Sequence, residues 1–371
     1  MRRHANRRTA PDRVPDRMRA LVYRGVDDLR VESLPVPRIA SGEVLVRVAA
    51  CGVCPTDIKK IRLGTVPPPR VFGHEMAGTI VRAGARVRGF QERDRVAMHH
   101  HVPCGHCHFC QRRAFAQCPT YLKTGVTAGF EPAGGGYSEY VRVLPFCIPG
   151  LVRIPRRNSF AEAAMLEPVN TVLKGVRLLG VHPGDEVLVV GQGPIGLLFN
   201  RLLTLAGAGV TGCDPLPHRA RLGRRFGAVR CFASVEEAAG VVPRITRGRG
   251  LDAVVLTVPS NPAFAEGHRL VRGGGTTLVF GHTVRGSDVP VDLGRVCVDE
   301  QRILGSYSAD VQLQRTVARL VFGRQLDVRP LISHRFPLAK AAEAIALAAS
   351  PSGDMLKLLV EPQADGSAGA T

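Results

Sequence analysis

The sequence predicts two units: a β-rich, barrel-like region, followed by an α/β region built on a doubly wound parallel sheet. Three observations carry this. Short strand-like runs broken by Gly and Pro fill residues 18–154, the pattern of all-β architectures. From Ser159 onward the texture changes to alternating helices and buried strands, the signature of a parallel sheet. Between a strand and a helix of that second region lies Gly191-Gln-Gly193-Pro194-Ile195-Gly196, a glycine turn in the strand–turn–helix order that dinucleotide sites require.

Taken in order, residues 1–17 hold six arginines, two prolines and no apolar periodicity. They read as a disordered extension, or as the product of a start set ahead of Met18. Residues 42–50 alternate Val44, Val46 and Val48 against Leu45 and Arg47, a strand pattern. Residues 71–81 and 95–98 are also strand-like. Ser159 followed by Glu162 predicts a helix opened by a capping box. Strands are then expected at 186–190, 209–213, 229–232, 253–257 and 276–280, with helices at 195–205 and 217–226. The stretch 311–360 predicts two helices and a last strand at 356–360, which return to the first unit. The domains expected are 18–168 completed by 308–362, then 169–307, with a disordered tail at 363–371.

Composition narrows the functional classes. Hydrophobic residues are 45% and charged residues 22%, so the chain is not expected to be disordered, and the 41 glycines and 27 prolines show no collagen period. No apolar run reaches the ~18–20 residues that a membrane-crossing helix needs. The basic N-terminus has no apolar stretch behind it and does not read as a secretory signal, so a cytoplasmic protein is expected. A net charge of +19 raises nucleic acid as a partner. Only six of the 50 basic residues are Lys, and the arginines are scattered along the chain, so composition explains the charge without a nucleic-acid surface. A zinc-stabilised nucleic-acid-binding protein is the reading from another class.

The ten cysteines divide into a cluster at 104, 107, 110 and 118, a pair at 51 and 54, and four that stand alone. Clustered and scattered thiols together suggest metal binding in a reducing compartment. Cys104, Cys107, Cys110 and Cys118 read as a four-thiolate structural zinc lobe with no open position. An iron–sulfur cluster competes weakly, since no second cysteine group follows. His106 and His108 are expected to be exposed loop residues. A second constellation joins Cys54-Pro-Thr-Asp57 with Gly73-His74-Glu75 and Glu167-Pro168. Its thiolate, imidazole and carboxylates can bind zinc while leaving a position for water or substrate.

In the nucleotide motif, Gly191 allows the tight turn, Gly193 the approach of pyrophosphate and Gly196 close packing of helix on strand. Asp214 ends the next strand, where a carboxylate accepts ribose hydroxyls and repels a 2′-phosphate, favouring NAD over NADP. Arg219, further along, either covers the adenosine ribose or phosphate or is a solvated surface residue.

These motifs together resemble the zinc-dependent medium-chain alcohol dehydrogenases from Met18 to about Pro362. Besides the cysteine lobe and the glycine turn, the match rests on Gly52-Val-Cys-Pro-Thr-Asp57, Gly73-His-Glu-Met-Ala-Gly78, Gly89-Phe-Gln-Glu-Arg-Asp-Arg-Val96 and Glu167-Pro168. Glu167-Pro168 resembles the sorbitol and threonine dehydrogenase branches. The resemblance implies a GroES-like β-barrel catalytic domain with a Rossmann cofactor domain, two zinc ions per chain, and NAD. It implies Cys54, His74 and Glu75 as catalytic-zinc ligands, with Glu167 a further one, direct or through water. Thr56 matches the hydroxyl that takes the alcohol's proton, Asp57 an outer residue of the metal site, and His101 a histidine near zinc that is a candidate substrate contact. The implied reaction oxidises a secondary alcohol of a polyol, sugar, cyclitol or hydroxy amino acid through a zinc-bound alkoxide and hydride transfer. A zinc dehydrogenase of simple alcohols or aldehydes is the alternative.

Two departures stand out. Lys59 occupies the position where the branch often carries a relay histidine, and a lysine ordinarily titrates near ~10.4. Pro55 offers no backbone N–H where some relatives use a basic residue. Cys51 is expected to be a buried small residue. The strand at 302–306 resembles the one through which the family dimerises, so a homodimer or homotetramer acting on a small-molecule alcohol is expected.

Overall fold

A computed structural model of the chain describes residues 14–130, 134–281, 283, 286–350 and 354–364. It carries a mixed sheet with a large apolar core, a parallel sheet with a core on each face, and a smaller three-stranded sheet.

The mixed sheet runs in the order Ile332–Pro337, Lys357–Glu361, Val44–Gly52, Glu75–Ala83, Arg95–Met98, Leu151–Arg153. The alternation read at Val44, Val46 and Val48 is real: all three are buried and pair with Glu75–Ala83, and Val44 and Val46 also with Tyr140–Val143. A smaller sheet of Asp28–Pro35, Arg17–Gly25 and Arg70–Val71 closes over the same core. The C-terminal strand Lys357–Glu361 does return to the first unit, pairing antiparallel with Val44–Gly52.

The parallel sheet runs Arg230–Phe232, Gly209–Cys213, Glu186–Val190, Leu251–Leu256, Val271–Val279, Arg302–Gly305. In chain order this is 3-2-1-4-5-6, the doubly wound arrangement whose order reverses beside its first strand and opens a crevice there. Arg302–Gly305 is its edge, and Leu304 is partly buried against the core.

The helix expected after Ser159 forms as Phe160–Ala164. Ser159 Oγ accepts from Glu162 N at 3.1 Å and Glu162 Oε2 from Ser159 N at 2.8 Å. A longer helix, Leu166–Leu179, follows at once and buries one face against helices Pro194–Leu205 and Gln314–Phe322. It joins the two units and carries Glu167 in its first turn.

The structure corrects several expectations. Residues 14–17 are not an extension: Val14 packs on the core, Asp16 C=O accepts from Val36 N at 3.0 Å, and Arg17 opens the first strand. Residues 1–13 and 365–371 lie outside the described residues. At the other end, Gln363 Nε2 donates to Glu139 O at 3.0 Å. The β-rich region contains a helix, Pro55–Leu63, with Pro at its start and left-handed Gly64 (φ 60°) at its end. The strand expected over 71–81 breaks at Phe72–His74, which takes His74 out of the ladder. A parallel strand at Ile332–Pro337 has no counterpart in the sequence reading. Among the described residues no helix is long and apolar enough to cross a membrane.

Candidate active site

The site is one cleft of about 360 Å³ between the two units. Cys54, Thr56, Lys60, His74, Glu75, His100, His101 and Glu167 line it from one side, and Gly193, Pro194, Ile195 and Arg219 from the other.

Local folding explains each placement. Cys54 caps the Pro55–Leu63 helix with extended backbone, which turns its thiol out of the sheet. Asp57, in the first helical turn, is buried and braces the neighbouring strand break. Its Oδ2 accepts from Gly73 N at 3.2 Å and from Tyr137 Oη at 3.4 Å, and its Oδ1 lies 3.1 Å from His74 Nδ1. With Nδ1 engaged, His74 keeps Nε2 for a metal, the usual arrangement of a carboxylate behind a ligating histidine. Burial alone would lower the imidazole's pKa, yet Asp57 and Cys54 hold it well above 6.5 in the metal-free protein. Burial would also raise Asp57, but His74 and Lys60 hold its carboxylate below the ordinary range.

Donor atoms of Cys54, His74 and Glu75 lie within 4.8 Å of one another, and so do those of His74, His100 and Glu167. A soft thiolate with imidazole and carboxylate suits zinc, so the residues fit the ion that the motif implies. Glu75 has a buried partner from the far end of the chain, Lys357. Lys357 Nζ stands 2.5 Å from both its carboxylate oxygens and also donates to Val53 O at 3.0 Å. Glu167 is buried, and burial pushes its carboxyl up to about 7.

The run His99-His-His101 is folded into the protein. His99 and His100 are buried, and His101 lies in the cleft stacked on Tyr121 at 5.0 Å. Burial lowers both imidazoles, helped by repulsion from His101 and His74 on His100 and from His74 and His99 on His101, the latter to about 3, so both are neutral. His100 was missed by sequence reasoning. Lys60, not Lys59, lines the cleft, because it lies one turn beyond Thr56 on the same helical face. Cys51 is buried and joins no donor group.

The four-cysteine lobe is independent of the cleft. Its Sγ–Sγ separations are 3.5 Å (Cys107–Cys110), 3.7 Å (Cys104–Cys118) and 3.9 Å (Cys104–Cys110). Thiolates ~2.3 Å from a tetrahedral zinc stand about 3.8 Å apart, so these cysteines fit that ion without rearrangement. His106 and His108 are exposed and outside the group. Tyr121 ties the lobe down, bonding Ser308 Oγ and Ala309 O at 2.7 Å each.

On the nucleotide side, Gly191 adopts φ 91°, open to glycine at little cost. A Cβ on Gly196 would collide with the Gly191 carbonyl. Gly193 caps the Pro194–Leu205 helix, whose first residues, Pro194 and Ile195, line the cleft. Asp214 does more than await a ribose. Its Oδ2 accepts from Gln192 N at 2.8 Å and its Oδ1 from Leu216 N at 3.0 Å, so it braces the glycine turn. Each carboxylate oxygen retains a lone pair for a hydroxyl. Arg219 Nη1 lies 3.9 Å from Asp214 Oδ2, at the cleft rather than free on the surface. Gln192, between the glycines, points inward and bonds Val189 O and Asn200.

Comparisons with known proteins agree with this architecture. The family described as alcohol dehydrogenase GroES-like domain matches residues 40–155, and zinc-binding dehydrogenase matches 194–322. Sorbitol dehydrogenase of Bacillus subtilis is 28% identical over 360 residues, covering 94% of this chain and 98% of its own. D-arabinitol dehydrogenase 1 of Uromyces fabae is 30% identical over 361 residues, covering 95% and 99%. A zinc-binding dehydrogenase of Sinorhizobium meliloti, solved with NADP, superposes with a TM-score of 0.83 at 29% identity, covering 94% and 100%. The chain belongs to the zinc-binding alcohol dehydrogenases, with a GroES-like domain joined to a Rossmann domain. It is an oxidoreductase acting on the CH–OH group of a small-molecule alcohol.

Proposed function

We propose that this protein oxidises a secondary alcohol of a polyol, sugar or cyclitol to the ketone, with NAD as acceptor. The observation that carries the reading is the single cleft in which Cys54, Thr56, His74 and Glu167 face the glycine turn of a dinucleotide site. The hydroxyl-rich substrate class is supported by the polyol-dehydrogenase relatives and by the two carboxylates beside the metal donors.

In this reading Cys54 and His74, with carboxylate help from Glu75 or Glu167, hold a zinc ion, and Cys104, Cys107, Cys110 and Cys118 hold a structural one. Bound at the cleft, zinc would lower the pKa of a hydroxyl, and nicotinamide would accept the hydride. Thr56 Oγ1 receives the substrate's hydroxyl proton and passes it toward solvent along the Lys60 face of its helix. Asp57 fixes the tautomer of His74. Neutral His101 offers a hydrogen-bonding partner to a second hydroxyl. Gly191, Gly193, Pro194, Ile195 and Gly196 receive the pyrophosphate, and Asp214 with Arg219 the adenosine ribose. Asp214 disfavours a 2′-phosphate, so NAD is preferred even though one relative was solved with NADP.

The working unit is a homodimer or homotetramer joined through the exposed edge Arg302–Gly305, in the cytoplasm. Residues 14–168 with 308–364 form the catalytic unit and 169–307 the cofactor unit. The test is an NAD-reduction screen across polyols, cyclitols, simple alcohols and threonine. Turnover confined to primary simple alcohols would replace this reading with the simple-alcohol one.

A further inference from the structure

Two basic side chains line the cleft without holding the metal or the nucleotide: Lys60, on the Pro55–Leu63 helix, and Arg70, at the short strand Arg70–Val71. Lys60 is half-buried, and its Nζ has no hydrogen-bond or ion-pair partner among the described residues. The carboxylates that share the cleft are committed elsewhere. Asp57 is engaged by Gly73 N, Tyr137 Oη and His74, and Glu75 faces Lys357. Glu167 is buried, its carboxyl pushed up to about 7. Lys60 still acts on the centre of the site: its charge helps hold Asp57 low and helps press the His100 and His101 imidazoles down. An ammonium kept partly out of water without a counter-charge costs free energy, which a ligand of opposite charge recovers.

Position says which ligand brings that charge. The phosphates of a dinucleotide belong to the opposite wall, at Gly193, Pro194 and Ile195 with Arg219. Lys60 stands on the wall that carries the metal donors, one helical turn beyond Thr56 and about 6 Å along the helix axis. An anion held there lies several bonds from the hydroxyl that Thr56 serves, on the same molecule. Arg70, whose Nε donates to Pro67 O at 3.0 Å, adds a second cation to the cleft. A lysine supplies a point charge and an arginine a planar fork, and both recognise phosphate and carboxylate oxygens. We propose that Lys60, with Arg70, binds an anionic group of the substrate, so that the alcohol oxidised is a polyol, sugar or cyclitol carrying a phosphate or a carboxylate. This inference rests on the reading of the cleft as a dehydrogenase site and deepens it by naming the charge of the substrate.

The experiment measures kcat and KM for NAD reduction by zinc-loaded wild type, Lys60→Met and Lys60→Arg, each checked by circular dichroism and for zinc content. The alcohols form matched sets: sorbitol with sorbitol 6-phosphate and gluconate, and myo-inositol with inositol 1-phosphate. Wild type should favour an anionic member over its neutral parent by at least about tenfold in kcat/KM, the size of one charge-assisted hydrogen bond. The favoured member, phosphate or carboxylate, identifies the anion. Lys60→Met should cut that ratio at least about fivefold, chiefly through a higher KM for the anionic member, and Lys60→Arg should keep most of it. Equal use of neutral and anionic members by wild type, or a ratio within about twofold of wild type in Lys60→Met, would overturn this inference and leave the polyol reading standing. No turnover of any member at full zinc occupancy would overturn both.

Discussion

Lys357→Met should be far more damaging than a change in an alternating apolar strand suggests. The substitution keeps length and apolar bulk but removes the charge that faces Glu75, leaving a carboxylate 2% exposed without its partner. Breaking a buried pair from one side costs about 3–5 kcal/mol. A domain of this size loses roughly 2–4 °C per kcal/mol, so the melting temperature should fall by about 6–20 °C. A two-domain metalloprotein does not unfold in a single reversible step, so the comparison is of melting temperatures at one scan rate and equal zinc content. The double variant Lys357→Met/Glu75→Gln should recover most of the loss, since removing both charges avoids the unpaired one. Burial would lower the Lys357 pKa, but Glu75 and Cys54 hold it above 10.5. The contribution is therefore complete below that value and fades only as pH rises beyond it, so the gap to wild type should persist from pH 7 to 10. A single variant melting within 2 °C of wild type, or a double variant no better than the single, would refute the reasoning.

Three further outcomes are expected. Cys107→Ser should remove one zinc per chain by elemental analysis and lower the melting temperature, while Cys54→Ser should remove the other ion with the fold retained; a single zinc in fully loaded wild type would contradict both. Asp214→Gly should raise the KM for NAD roughly tenfold or more, through loss of the ribose acceptor and of the brace on Gln192, and should narrow the preference over NADP; equal use of both cofactors by wild type would contradict the role of Asp214. Light scattering should give a dimer or tetramer at micromolar concentration, with Leu304→Pro releasing monomers by breaking the edge strand; a wild-type chain scattering as a 39.9 kDa monomer at every concentration would contradict the edge assembly.

What could be read in the sequence was local. The glycine turn, the Ser159–Glu162 capping box and the cysteine spacing each encode their geometry within a few residues, and each stands as expected. The Pro55–Leu63 helix was legible too, from Pro at its start and Gly64 at its end, but strand texture on both sides masked it. Helical phase then decided which lysine reaches the cleft. Thr56 and Lys60 stand four residues apart on one face, which brings Lys60 to the cleft. The rest depended on contacts far apart in the chain. Lys357 and Glu75 are 282 residues apart, and they meet because strands Lys357–Glu361 and Glu75–Ala83 both pair with Val44–Gly52. A lone lysine in the run Leu356-Lys-Leu-Leu-Val360 was the available sign. His100 looked like one histidine among three until the fold buried it beside His74.

The most direct test of the central claim is steady-state NAD reduction by zinc-loaded wild type, Cys54→Ser and Thr56→Ala with a panel of polyols and cyclitols. The account predicts turnover by wild type on at least one secondary alcohol of the panel, near-complete loss in Cys54→Ser, and a fall in kcat of about 10²–10⁴ in Thr56→Ala with the fold intact. Wild-type turnover that survives undiminished in Cys54→Ser, or none with any secondary alcohol at full zinc occupancy, would contradict it.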